Sequence, residues 1–177
     1  LIEETADIGL ATEALAGYSE LITLPCYEWQ HVLVVPLSHP LATVDRPTLA
    51  QLAPHPLVTY HPAFAGRTRI DAAFAQRGLT TNVVLEAIDS DVIKTYARLG
   101  LGVGIVAEMA VTHDASDADL VTRPLGHLFG SNVTRIAFKR GAYLRNYVYT
   151  LAELRSDRFT RALIDRALQG GAEHHDL

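Results

Sequence analysis

Hydrophobic and polar positions along the chain fall into short apolar runs separated by turn residues, with helical spacing between some of them. Ile8–Ala11 is an apolar segment entered from an acidic one. Leu21–Leu24 and Trp29–Pro36 are β-branched-rich runs closed by Pro25 and Pro36, the pattern of two short strands. A proline-flanked loop is expected from Leu37 to Pro47. Thr48 then caps a predicted helix through Ala53, and Pro56–Tyr60 reads as a strand. Arg67–Arg77 places Ile70, Ala73 and Phe74 on one helical face before Gly78. Asn82–Ile88 is the next strand, Asp91–Leu99 a helix that Ser90 caps and Gly100 ends, and Val103–Val106 a strand again. Nearly continuous apolar strands alternating with helices predict a parallel, doubly wound sheet covered on both faces over residues 40–110. Leu120–Leu125 and Val133–Lys139 add two strands around a turn-rich Gly126–Asn132. In the closing helical stretch Leu144, Tyr147, Val148, Leu151 and Leu154 recur at helical spacing, and Ser156-Asp157 offers a fresh cap before Phe159, Leu163 and Ala167.

The fold class this predicts is α/β with two Rossmann-like lobes joined by two crossing strands. Residues 1–36 and 118–168 are assigned to lobe I, residues 37–117 to lobe II, and residues 169–177 to a flexible tail. A chain that leaves one lobe, builds a second and returns makes a cleft, where strand ends and helix N-termini face a ligand. The chain starts without Met and in mid-strand, so it is expected to be a fragment with its first lobe incomplete.

Composition narrows the function classes. The 177 residues are 49% apolar and 20% charged, with 15 Lys+Arg against 20 Asp+Glu and a net charge of −5. A globular domain is expected, and no apolar run approaches the ~20 residues of a membrane-spanning helix. The acidic balance argues against gripping nucleic acid, which needs a clustered basic surface. The single Cys26 has no internal partner and Leu1–Asp7 lacks the features of a secretory signal, so a cytoplasmic setting is expected.

Candidate chemistry reduces to a small set. Gly100-Leu101-Gly102-Val103-Gly104 has the glycines of a dinucleotide fingerprint in the wrong order, since the helix precedes them and the strand follows; a helix-to-strand turn is the better reading. His31, His39, His55, His61, His113 and His127 show no metal-ligand spacing, and His174-His175 lies in the tail. They read as structural or solvated histidines. No serine sits in a Gly-x-Ser-x-Gly elbow, and Asp89 and Asp91 flank a helix N-terminus where acids are favoured anyway. No catalytic residue, metal or cofactor is expected. What remains suits a small anion: Thr12 at a strand end, Phe64-Ala65-Gly66-Arg67 leading into a helix, the Ser90 helix start, and Trp29 as a wall.

At these residues the sequence resembles the effector-binding domain of LysR-type transcriptional regulators, in particular the CysB/Cbl branch that controls sulfur assimilation. The matching strings are Ala6-Asp7-Ile8-Gly9-Leu10-Ala11-Thr12-Glu13-Ala14-Leu15, Leu24-Pro25-Cys26-Tyr27 with Trp29, His39-Pro40-Leu41, Pro56-Leu57-Val58-Thr59-Tyr60, and Asp91-Val92-Ile93-Lys94-Thr95-Tyr96 continuing through Arg98–Gly104. The resemblance implies the two-lobed fold of type 2 periplasmic binding proteins, with Thr12 and Trp29 as effector contacts. It also implies a departure: the branch usually reads Phe-Thr-Gly-Arg where this chain has Phe64-Ala65-Gly66-Arg67, so one hydroxyl is absent and backbone amides must serve. A sulfur-pathway effector such as sulfate, thiosulfate, adenosine phosphosulfate or an acetylserine is implied. So are promoter DNA, reached through an N-terminal helix-turn-helix absent from this chain, and a homo-oligomer, a tetramer in the family. The alternatives are a periplasmic solute-binding protein of a transporter and, behind it, an α/β enzyme using the same cleft.

Overall fold

A computed structural model describes residues 1–3, 5–12, 18–112, 116–156 and 158–169. The chain forms two compact units, Leu1–Glu28 with Val133–Leu177, and Trp29–Asn132. These boundaries fall at 28/29 and 132/133, not at the expected 36/37 and 117/118. Trp29–Pro36 and Leu120–Pro124 pair in one sheet, which keeps both with the second unit.

In the first unit β1 (Gly9–Thr12) runs antiparallel to β7 (Ser131–Lys139), with Gly9 opposite Ala137 and Thr12 opposite Thr134. The third strand is the first half of β2, and β2 is not two short runs but one strand, Leu21–Pro36, passing through Pro25. Its pairings with β5 and β6 of the second unit begin at His31 and Val32. Ile22, Leu24 and Cys26 alternate into a core with Ile136 and Phe138 of β7. Two helices cover it, α5 (Asn146–Arg155) and α6 (Arg161–Leu168). The buried face of α5 is Val148, Tyr149 and Ala152, whereas Tyr147, Leu151 and Leu154 of the expected stripe are exposed. α6 is capped by Thr160, whose Oγ1 accepts from Leu163 N at 3.3 Å, and not by Ser156; Asp157, like residues 13–15, His113 and the expected 170–177 tail, lies outside the described residues.

The second unit contains the second half of β2, α1 (Leu49–Leu52), β3 (Pro56–Tyr60), α2 (Ala65–Gln76), β4 (Asn82–Ala87), α3 (Ser90–Arg98), β5 (Val103–Ala107), β6 (Leu120–Pro124) and α4 (Gly126–Phe129). The expected loop before α1 holds a 3-10 turn, Pro40–Thr43, and the expected turn after β6 is largely α4. Thr48 caps α1 in a reciprocal box with Gln51. β3 pairs in parallel with β4 and β5, as the alternating pattern predicts, but β2 pairs antiparallel with β5 and β6, so the sheet is mixed.

Helices cover both faces of this sheet. Leu33, Val35, Leu57, Val103 and Ile105 pack with Leu52, Ile70, Phe74 and Phe129 on one side. Val32, Val34, Val58 and Val106 pack with Ile93 and Ala97 of α3 on the other. Glycines after α3 and within β5 serve this packing: Gly100 ends the helix at φ 78°, and a Cβ on Gly104 would lie 2.5 Å from Val34 Cγ2.

α3 is also tied down by charge. Lys94 Nζ donates to Asp117 Oδ2 at 2.9 Å and to Ala110 O at 2.8 Å, and Asp117 also accepts from Thr112 N at 3.0 Å. Burial pushes the Asp117 carboxyl up, but the Lys94 ammonium and the Thr112 amide outweigh it and hold its pKa below the usual carboxylate value. Breaking such a buried pair leaves an uncompensated charge, so Asp117→Ala is expected to lower the unfolding free energy by about 3 kcal/mol. Urea denaturation measures it, and a loss below about 1 kcal/mol would rank the pair with weak surface bridges. A carboxyl with a depressed folded pKa stabilises above its unfolded value and stops doing so as pH falls. The gap between wild type and variant should therefore shrink in acid.

Candidate functional site

The first turn of α2 is where the expected effector residues gather. Phe64 is its N-cap and makes no side-chain capping bond. The helix begins at Ala65, two residues earlier than the spacing suggests. Arg67 N donates to Phe64 O at 3.0 Å, while the N–H groups of Ala65 and Gly66, at the first two helical positions, have no carbonyl one turn back to take them. A helix start of this kind favours negative charge.

β2 delivers two rings to this turn. Trp29 and His31 are two residues apart, so they share a face of the strand, and their centroids are 5.1 Å apart edge to face. A Cβ on Gly66 would lie 2.8 Å from His31 Nε2 and 3.4 Å from Trp29 Cη2. Only glycine lets the helix start come this close. His31 itself packs on Phe129 at 5.8 Å and is 0% exposed. Burial, reinforced by the nearby Arg69 charge, lowers its pKa to about 4, so the ring is neutral at ordinary pH. Asn132, also 0% exposed, places Nδ2 3.4 Å from His31 Nδ1. Among the described residues His31 Nε2 and Asn132 Oδ1 are buried without a hydrogen-bond partner.

The remaining expected residues are distributed as follows. The Arg67 guanidinium is buried and spent: Nε on Asp71 at 2.8 Å, Nη1 on Glu86 at 2.9 Å and on the Tyr60 carbonyl at 2.8 Å. Its charge is neutralised within the unit and so holds α2 to β3 and β4. Ser90 is not the cap of α3; Asp89 is, accepting from Asp91 N at 2.7 Å. Ser90 Oγ instead lies 2.7 Å from Tyr60 OH, and the Tyr60 ring is 5.9 Å from Phe64, so Tyr60 links Ser90 to the α2 start. Thr12 is on β1 of the other unit, opposite Thr134. His31, Asn132 and Tyr60 were not anticipated. A signal existed for His31, a polar residue two positions after Trp29 within an apolar strand.

The comparisons with known proteins bear on this arrangement. A model of the LysR substrate binding domain matches residues 1–160. The chain belongs to the LysR substrate-binding domain family. It is 56% identical over its full length to the HTH-type transcriptional regulator CysB of Burkholderia cenocepacia, covering 56% of that protein. It is 46% identical over 87% of its length to the regulator SsuR of the same organism, covering 50% of it. The chain thus spans about half the length of the curated relatives it matches. Among solved structures, the cofactor-binding domain of the Cbl transcriptional regulator superposes with a TM-score of 0.82 at 42% identity, over 92% of this chain and 71% of that one. These relatives are transcriptional regulators, and among the described residues no helix is long and apolar enough to cross a membrane.

The low His31 pKa makes folding pH-dependent. Between about 4 and the unfolded value of 6.5 the unfolded chain binds a proton that the folded chain refuses, so stability rises with pH through that window. The shift from 6.5 to about 4 corresponds to roughly 3 kcal/mol lost on acidification. Relative to His31→Phe, which cannot titrate, the wild type should lose stability on this scale between pH 7 and pH 4 in paired urea titrations. Parallel acid limbs would show that His31 is not the group responsible.

Proposed function

We propose that this chain is the effector-binding domain of a DNA-binding LysR-type regulator of sulfur assimilation and cysteine biosynthesis. Its effector would be a small sulfur-pathway ligand: sulfate, thiosulfate, adenosine phosphosulfate or an acetylserine-like molecule. The observation that carries it is the start of α2, which has no side-chain cap and lies against Trp29 through Gly66. Similarity to CysB, SsuR and Cbl supports the sulfur assignment. Phe64, Ala65, Gly66 and Trp29 are the assigned contacts in one unit. Arg67 and Ser90 act behind them, Arg67 through its ion pairs with Asp71 and Glu86 and Ser90 through Tyr60. Thr12 enters from the resemblance alone.

Regulation then follows from linkage. An effector changes the behaviour of the whole regulator only by binding two of its arrangements with different affinity, and one bound equally by both would switch nothing. The relatives read DNA with parts beyond the length matched here, and in this proposal promoter DNA and further copies of the protein are the partners that feel the switch.

Isothermal titration of the intact protein with sulfate, thiosulfate and O-acetylserine tests the assignment. Trp29→Ala and Thr12→Ala should each weaken binding of the preferred ligand by roughly tenfold or more, the scale of a lost hydrogen bond to a charged group or of a lost aromatic wall. Unchanged affinity in both variants, with folding verified by circular dichroism, would remove the site assignment. A wild type that takes none of the three would remove the effector class.

A further inference from the structure

His31 and Asn132 present a buried polar pair whose hydrogen bonds do not close. Each is 0% exposed, yet His31 Nε2 and Asn132 Oδ1 have no partner among the described residues. Buried polar atoms are nearly always paired, because leaving one unpaired costs about 1–3 kcal/mol. The Lys94 site in the same unit shows that this fold satisfies buried polar groups where only structure is at stake, since Asp117 Oδ2 takes hydrogen bonds from Lys94 and Thr112.

The geometry fixes which atom carries the proton. Asn132 Nδ2 is a donor only, so the Nδ1 lone pair 3.4 Å away must accept. A neutral imidazole has one proton, which therefore sits on Nε2. That N–H faces Gly66, 2.8 Å from where a Cβ would stand, in the same turn that presents the Ala65 and Gly66 amides.

We propose that His31 is a specificity-determining contact of the effector site, its Nε2–H donating to an oxyanion held at the start of α2. This rests on the effector reading above and adds a residue to it. Asn132 is a positioning residue: it touches the ring, not the ligand, and holds the proton on Nε2. No covalent step is involved, and the ligand chemistry is a small oxyanion with an unprotonated oxygen facing β2.

The test uses the intact protein with sulfate and thiosulfate as probes. His31→Gln keeps an N–H donor at similar reach, whereas His31→Phe keeps the ring contact with Trp29 and Phe129 and removes the donor. Calorimetry should show His31→Gln within a few-fold of wild type and His31→Phe weaker by roughly tenfold or more, the loss expected for one hydrogen bond to a charged acceptor. Nitrogen-15 spectra of the histidine ring give a readout that a packing role would not move. The proton should be on Nε2 before anion is added, its signal should shift on titration, and Asn132→Leu should let the proton redistribute between the two nitrogens. Wild-type affinity in a folded His31→Phe variant, or a ring protonated on Nδ1, would overturn the assignment while leaving the effector site standing, provided Trp29→Ala still abolishes binding. Absence of anion binding in the wild type would overturn both.

Discussion

The pleat of β2 is the constraint on which the rest of the second unit depends. Side chains alternate along a strand, so Leu33 and Val35 go to the face that buries Ile70 and Phe74 of α2, and Val32 and Val34 to the face that buries Ile93 and Ala97 of α3. Trp29 and His31 belong to the first series, and so they meet the first turn of the helix that their neighbours bury. The register is held from both sides, with His31 opposite Ala107 and Val32 opposite Pro124. A slip of one residue would turn the whole series over and bring Gln30 and Val32 under Gly66. Core packing and site geometry are therefore one choice, enforced by the different side-chain shapes that the two helix-covered faces accept.

The same unit treats two buried polar clusters in opposite ways. Around Lys94 the hydrogen bonds close: the ammonium meets a carboxylate and a carbonyl, and the carboxylate meets an amide. Such a cluster adds little net stability over an apolar replacement, but it punishes the loss of any member, which suits it to fixing the segment that follows β5. Around His31 the hydrogen bonds stay open on one side, and the ring is held neutral. Arg67 belongs with the first kind despite standing in the site sequence. Its three hydrogen bonds to Asp71, Glu86 and Tyr60 cancel the charge that a bare reading of Phe-Ala-Gly-Arg would offer to a ligand.

The elements were legible where a local pattern decides them. Pro56–Tyr60 is a strand to the residue, the Thr48 cap is present, and Gly100 ends α3 at a positive φ. Reading failed where partners distant in sequence decide. Pro25 breaks a strand in a local view yet lies inside β2, and the boundaries of the units moved because β2 and β6 pair across some ninety residues of chain. Of the expected stripe, the core takes Leu144 and Val148, joined by Tyr149 and Ala152, while Tyr147, Leu151 and Leu154 are exposed. Of the site, Trp29 and the Phe64–Gly66 turn were visible as residue types at an element start. His31 and Asn132 were not, since their pairing joins positions a hundred apart and their open hydrogen bonds exist only once both are buried.

The donor inventory at the start of α2 constrains the ligand further than charge does. Backbone N–H groups can only donate, and so can an imidazole nitrogen that carries the ring's proton, the state proposed for His31 Nε2. A threonine hydroxyl in place of Ala65 could turn either way, donating to a bare oxygen or accepting from a protonated one. Without it, the backbone amides and the imidazole offer donors, which suit an oxygen that has lost its proton. A hydroxyl buried without an acceptor forfeits about 1–3 kcal/mol, enough for tenfold discrimination or more between oxyanions of the same size. Sulfate and thiosulfate shed their protons well below neutrality, whereas phosphate keeps one. For the oxyanion effector proposed above, a turn that offers donors would therefore favour strong-acid oxyanions over phosphate.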